Sequence, residues 1–133
     1  MKLHQIRMFY LLLVASFISL LSGCTAQHTN SKFTVRVSGN TTELAFDGQC
    51  TAQKIKFWSE ESTAQGLDIK GTVQSVNQPQ DYEIIGYFIY CSVANQSAAG
   101  ILTVELLQEG NLVASAQSAS PDKPATLEYG QKP

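Results

Sequence analysis

Three cysteines, Cys24, Cys50 and Cys91, carry the most versatile side-chain chemistry in this chain. A thiol can be alkylated, pair with a second thiol as a disulfide, or bind a metal ion as a thiolate. Metal binding is not indicated, because there is no C-x-x-C motif and the only histidines, His4 and His28, lie within the first 28 residues. The same shortage of histidine argues against Ser-His-Asp and Cys-His catalysis. We therefore predict no catalytic residue, no metal site and no cofactor.

Paired carboxylates are the other arrangement that could do chemistry, since two of them can hydrolyse a glycoside. Glu60, Glu61 and Asp68 are the acidic cluster near an aromatic side chain, that of Trp58. Adjacent glutamates in a polar segment are typical of a solvated surface. We read them as surface and expect that the protein is not an enzyme, with a small hydrolase as the disfavoured alternative.

Residues 1–23 have the organisation of a signal peptide. A basic head with Lys2 and Arg7 precedes an apolar run over residues 8–21 that is interrupted by two serines. This run is shorter than the roughly 20 residues that a membrane-spanning helix needs, and it has the length of a signal-peptide apolar region. The alternative is an uncleaved signal anchor.

Leu21-Ser22-Gly23-Cys24 ends this segment and resembles the lipobox of bacterial lipoprotein precursors. In that family the cysteine thiol receives diacylglycerol, the chain is cut before the cysteine, and the new amino group is often acylated, for example with palmitate. The resemblance implies that Cys24 is the lipidation site. Two or more acyl chains on Cys24 would hold the protein stably on a bilayer. It also implies a cell-envelope location facing outside the cytoplasm. Thr25, where an aspartate would favour inner-membrane retention in enterobacteria, allows the outer membrane if the organism has one.

The chain after the leader is expected to hold one domain. Residues 24–32 are the lipidated cysteine and a flexible polar tether, and residues 33–133 form the domain. All eleven acidic residues but only seven of the nine lysines and arginines follow the leader, giving the mature chain a net charge of −4. With no basic patch, nucleic acid is not an expected partner.

Cys50 and Cys91 remain once Cys24 is assigned to the lipid. An even pair in an exported protein predicts a disulfide. The alternative is two buried free thiols that pack as small apolar groups.

Short alternating segments with turn signals between them predict an all-β domain, an antiparallel β-sandwich of about seven or eight strands; a small closed barrel is the alternative. Asp47-Gly48 and Gly110-Asn111 are predicted turns, the second closing a hairpin over residues 101–118. A shift of apolar phase predicts a bulge near Gln53 or Lys54. The run 81–94 is apolar on both faces and is read as one central strand, bent at Gly86.

The order Cys50, Trp58, Cys91 resembles that of immunoglobulin domains, in which an inter-sheet disulfide packs on a tryptophan. The resemblance implies an immunoglobulin-like or transthyretin-like sandwich. Ile89 stands where a tyrosine corner would need tyrosine, so it implies the architecture and not membership of the family. The rhythm of strands and turns is also similar to the MmpS accessory domains of mycobacterial lipid transporters, which are held by a membrane helix instead of a lipobox. That similarity carries no functional residue.

Trp58 and Tyr87 are the candidate ligand-contact aromatics. They lie beside polar loops, or on the strand face opposite that of Phe88 in the apolar run. The alternative is that they are core or cross-strand packing residues.

These observations together predict a membrane-anchored lipoprotein whose non-catalytic β-sandwich binds or scaffolds another component of the cell envelope, with an envelope protein as the expected partner. The alternative is an accessory subunit of an envelope lipid or efflux transporter. A carrier of apolar ligands would need a cavity between the sheets, with Gly71, Gly86 and Ala114 leaving room for it, whereas a scaffold would have a filled core.

Overall fold

A computed structural model describes residues 28–56, 59 and 61–133, and this part of the chain is built from β-strands. In chain order the strands are β1 (Ser31–Gly39), β2 (Ala45–Ile55), β3 (Ser62–Thr72), β4 (Gln80–Gly86), β5 (Phe88–Asn95), β6 (Leu102–Gln108), β7 (Asn111–Ser118) and β8 (Ala125–Gly130).

The strands form two four-stranded sheets that pack face to face. The first sheet has the order β4-β1-β6-β7 and the second β3-β2-β5-β8, and every neighbouring pair is antiparallel. The predicted antiparallel β-sandwich is confirmed, with eight strands. Within it β1 pairs with β4 and β6, whereas the first strand of an immunoglobulin constant domain pairs with the second.

The core lies between the sheets and follows from alternation along each strand, because successive side chains of a strand point to opposite faces. β1 shows this most clearly: Phe33, Val35 and Val37 are buried, and the residues between them are not. Each sheet contributes to the single cluster of buried apolar side chains, which includes Phe46, Ile69, Ile89, Val93, Leu102, Val104, Leu106 and Leu127.

The predicted turn at Asp47-Gly48 was wrong, because both residues lie inside β2. Gly48 is required there for a different reason. A Cβ atom on Gly48 would overlap the backbone of Ser92 and Val93 in the adjacent β5. The glycine therefore allows β2 and β5 to approach closely, and the turn before β2 contains Glu43 instead, whose φ is 64°.

The apolar run 81–94, predicted as one central strand, is two strands in different sheets. β4 ends at Gly86 on the edge of the first sheet, and β5 begins at Phe88 in the middle of the second. A Cβ atom on Gly86 would lie 2.6 Å from the carbonyl oxygen of Gln53, so the chain changes sheets at a position where only glycine fits without movement.

The predicted β6–β7 hairpin is confirmed, with its turn one residue earlier than expected. Glu109 and Gly110 have φ values of 51° and 83°, as a two-residue hairpin turn with both residues left-handed requires. The register shifts between Leu106 and Leu107 in this hairpin. The bulge predicted near Gln53 or Lys54 was wrong, since β2 pairs with β3 without interruption over its whole length.

One end of the sandwich contains the start of β1, and we call it the N-terminal end. The register places the starts of β3, β5 and β7 and the ends of β2, β4, β6 and β8 at the same end. Every strand of each sheet therefore has one terminus at this end.

Candidate functional site at the N-terminal end

Cys50 and Cys91 form a disulfide, as predicted, and both side chains are fully buried. The two residues are directly opposite each other on β2 and β5, with 4.0 Å between their Cα atoms. The bond thus joins the two central strands of the second sheet. The inter-sheet placement implied by the resemblance to immunoglobulin domains was wrong, because β2 and β5 are neighbours in one sheet.

Tyr87 is the residue at which the chain passes from the first sheet to the second. Its backbone N–H donates to the carbonyl oxygen of Gln53 at 2.8 Å. Its hydroxyl and that of Ser62 are 2.8 Å apart and share a hydrogen bond. These contacts hold the tyrosine side chain in place, and only 7% of the residue is exposed.

The ring of Tyr87 is covered by His28, at the beginning of the described chain. The two rings are stacked with their centroids 4.3 Å apart and their planes 18° from parallel. The ring face that His28 covers is therefore closed to a ligand while the two rings are stacked. The role of Tyr87 as a ligand contact stays a prediction. The same holds for Trp58, which lies outside the described residues.

Asn30 fixes the N-terminal segment to the end of β2. Its side-chain amide donates to the carbonyl oxygen of Ile55 at 2.8 Å, and its side-chain oxygen accepts from the backbone N–H of Ile55 at 2.9 Å. β1 begins at the next residue, Ser31. The folded domain therefore starts before Phe33, and His28 and Asn30, expected to belong to the flexible tether, contact it through their side chains.

His28, Asn30 and Ser62 are the residues of this site that sequence reasoning missed. His28 and Asn30 lie in a polar, small-residue run that is typical of a linker. The partner of Asn30 is 25 residues away, and no local pattern indicates such a contact. Cys24, the predicted lipidation site, lies four residues before His28 and outside the described residues.

The acidic side chains considered for catalysis do not come together. Glu61 is exposed and 3.4 Å from Lys56, with which it forms an ion pair. Asp68 lies seven residues further along β3, about 20 Å away at the rise of a strand. The carboxyl groups of a glycosidase are within about 10 Å of each other. Glu60 lies outside the described residues.

The space that a carrier cavity would need is filled at the three positions singled out. A Cβ atom on Gly71 would lie 3.0 Å from the ring of Phe46. Gly86 faces the Gln53 carbonyl oxygen, and Ala114 packs against the core cluster. Small residues at these positions accommodate neighbouring groups of the protein itself.

Charges around the N-terminal end are mostly paired. Lys32 forms an ion pair with Glu83, with 2.9 Å between Nζ and Oε1, and Lys132 forms one with Glu128, with 3.2 Å between the same two atoms. The described chain contains no group of three or more histidine, cysteine or acidic side chains that could hold a metal ion. This end consequently has little net charge to attract an ionic ligand.

A further ion pair lies on the outer face of the first sheet. Arg36 donates from two guanidinium nitrogens to the two carboxyl oxygens of Asp81, at 2.9 and 3.0 Å. This hydrogen bonding lowers the pKa of Asp81 below its usual range. Both side chains are more than a third exposed, so the pair is a surface feature.

Comparison with known proteins found no family model, curated protein or solved structure that matches this chain. Within the described residues no helix has the length and apolar character needed to cross a membrane.

Proposed function

We propose that this protein is a membrane-anchored lipoprotein, held by acyl chains on Cys24, whose non-catalytic β-sandwich binds or scaffolds another component of the cell envelope. The observation that carries the proposal is the lipobox-like run Leu21-Ser22-Gly23-Cys24 after a basic head and a short apolar stretch. The structure adds that His28 and Asn30 attach the following segment to one end of the sandwich. Four residues of extended chain span at most about 14 Å. An acyl anchor on Cys24 would therefore keep that end close to the bilayer.

The disulfide supports an extracytoplasmic location. Structural disulfides persist in oxidising compartments such as the periplasm and the cell surface, and are rare in the cytosol. Cys50 and Cys91 are bonded in the core between the two central strands of a sheet. A domain that closes such a bond is suited to the compartment to which a lipoprotein signal would deliver it.

The filled interior supports binding through the surface rather than internal carriage. Phe46 and the Gln53 carbonyl oxygen already occupy the space beside Gly71 and Gly86. The alternative role as an accessory subunit of an envelope transporter would then also depend on contacts with a partner protein, and not on an apolar ligand held between the sheets.

Labelling with an alkyne-bearing fatty acid in a bacterial host tests the anchor. The wild-type protein is expected to incorporate the label and to sediment with membranes, and the variant Cys24→Ala to do neither. The matched control is the double variant Cys50→Ala/Cys91→Ala, which lacks both other cysteines and should still be labelled. Label on Cys24→Ala, or none on the wild type, would refute the proposal.

A further inference from the structure

Most exposed apolar side chains of the described chain cluster at the N-terminal end. Six large apolar residues have at least 36% of their surface exposed. Four of them lie within three residues of the strand terminus at that end: Ile85 on β4, Tyr90 on β5, Leu112 on β7 and Tyr129 on β8. We call these four residues the N-terminal rim.

The rim is contributed by both sheets. Ile85 and Leu112 point outward from the first sheet, near its two edges. Tyr90 points outward from the second sheet, opposite Thr51 and Glu128. Tyr129 lies at the opening between the sheets, with its ring edge-on to Phe33 at 5.9 Å. The apolar side chains are thus spread around one end of the sandwich.

We propose that the N-terminal rim rests on the lipid bilayer, so that the sandwich stands end-on with its opposite end directed away from the membrane. This inference rests on the proposed function, since it requires acyl chains on Cys24. The occupant of the rim is the membrane surface because of where the chain leaves the domain. His28 is stacked on Tyr87 and Asn30 is bonded to Ile55, so the anchor is attached at this same end.

The short connection between Cys24 and His28 limits which part of the domain can contact the bilayer. Because the chain from Cys24 to His28 can span at most about 14 Å, an acyl anchor on Cys24 would keep the N-terminal end within reach of the headgroups whatever the tilt of the domain. The strands are up to 11 residues long, so the opposite end is about 30 Å further away. Val76 and Ile101, the other two exposed apolar residues, lie at that opposite end.

The chemistry of the rim suits the interfacial region of a bilayer. Tyrosine is enriched there because its ring is apolar and its hydroxyl is polar. Lysines near the interface can keep their ammonium groups in water while their chains lie along apolar surface. Lys32 and Lys132 are at this end, and each is paired with a glutamate. The contact should therefore depend on apolar burial and only weakly on anionic lipid or salt.

Lipid-phase quenching in reconstituted vesicles tests the orientation. The acylated protein, with its native disulfide intact, has no other thiol, so one introduced cysteine can carry a fluorophore. A label on Asn111→Cys, beside the rim, is compared with one on Asn77→Cys at the opposite end. In phosphatidylcholine vesicles containing a headgroup nitroxide lipid, we expect several-fold stronger quenching at position 111.

Charge substitutions on the rim provide the matched comparison. Ile85→Glu/Leu112→Glu should lower the quenching at position 111 at least twofold, to the level that the short acyl connection alone gives, without changing co-flotation with the vesicles. Val76→Glu/Ile101→Glu, the same change at the opposite end, should leave quenching unaltered. Circular dichroism checks that each variant is folded.

Quenching tests the end-on docking, and co-flotation tests the acyl anchor. Co-flotation with equal quenching at the two positions, or quenching at position 111 that survives both rim substitutions, would overturn end-on docking and leave the anchor intact. Failure of the wild-type protein to float with vesicles would overturn the anchor, and the docking with it.

Discussion

Reduction of the Cys50–Cys91 disulfide is expected to destabilise the domain by about 4 kcal/mol. The two cysteines are 41 residues apart in sequence. In the chain-entropy model, closing a loop of that length removes about 13 cal/mol/K from the unfolded chain, which is about 4 kcal/mol at 25 °C. This is a large fraction of the 5–15 kcal/mol that is typical of the total stability of a domain.

Urea unfolding with and without reductant measures this effect. For a slope of 1–3 kcal/mol per molar urea, a loss of about 4 kcal/mol lowers the unfolding midpoint by roughly 2 M. In the reduced protein the thiols of Cys50 and Cys91 are expected to stay buried as long as the domain is folded. They should therefore react with a thiol-labelling reagent only at urea concentrations that unfold the domain. The control is Cys50→Ala/Cys91→Ala, whose midpoint should not respond to reductant. A shift of less than about 0.5 M would refute the reasoning that the bond constrains the unfolded chain.

Three further substitutions test individual contacts. Asn30→Ala removes two hydrogen bonds to Ile55 and should cost about 1–3 kcal/mol in urea unfolding; an unchanged midpoint would mean that residues 28–31 are not fixed to the domain. Gly86→Ala places a methyl group against backbone and should cost about 1–3 kcal/mol by overpacking, so wild-type stability would contradict the close approach. Asp81→Asn should cost less than about 1 kcal/mol at pH 7. Since Arg36 lowers the pKa of Asp81 in the fold, the contribution is complete above the ordinary value of 3.8 and is lost as pH falls through the lower folded pKa. Equal costs at pH 7 and pH 2 would rule this pair out as the cause.

The sequence predicted the fold class well because strand alternation is a local signal. The buried phase of β1 and the β6–β7 hairpin are both readable from neighbouring residues. The disulfide was predictable for a different reason. Two cysteines remain once Cys24 is assigned to a lipid, and a remaining pair is expected to bond in a chain that is predicted to be exported. Neither kind of reasoning could indicate that β2 and β5 are neighbours in one sheet.

Glycines account for two of the errors. Gly48 follows an aspartate, and that pair is a strong local turn signal. In the structure, however, the missing side chain of Gly48 allows the backbone of β5 to lie close to β2. Gly86 was expected to bend one strand, whereas it allows the chain to leave one sheet and enter the other. In both cases the deciding contact is with backbone distant in sequence, so the residue type alone does not distinguish a turn from a close approach.

The N-terminal segment was read as a linker because its composition is that of a linker. His28 and Asn30 become structural residues only when Tyr87 and Ile55, 59 and 25 residues away, are brought to the same end of the sandwich. Short polar runs before a domain can thus be part of it when their side chains bond to backbone at the end of a strand.

Whether Cys24 carries an acyl anchor can be read from the intact mass of the protein extracted from membranes of its native host. We expect a mass for residues 24–133 plus two or three acyl chains, with no thiol available for labelling before reduction. An unacylated mass, or a chain that retains residues 1–23, would contradict the acyl anchor.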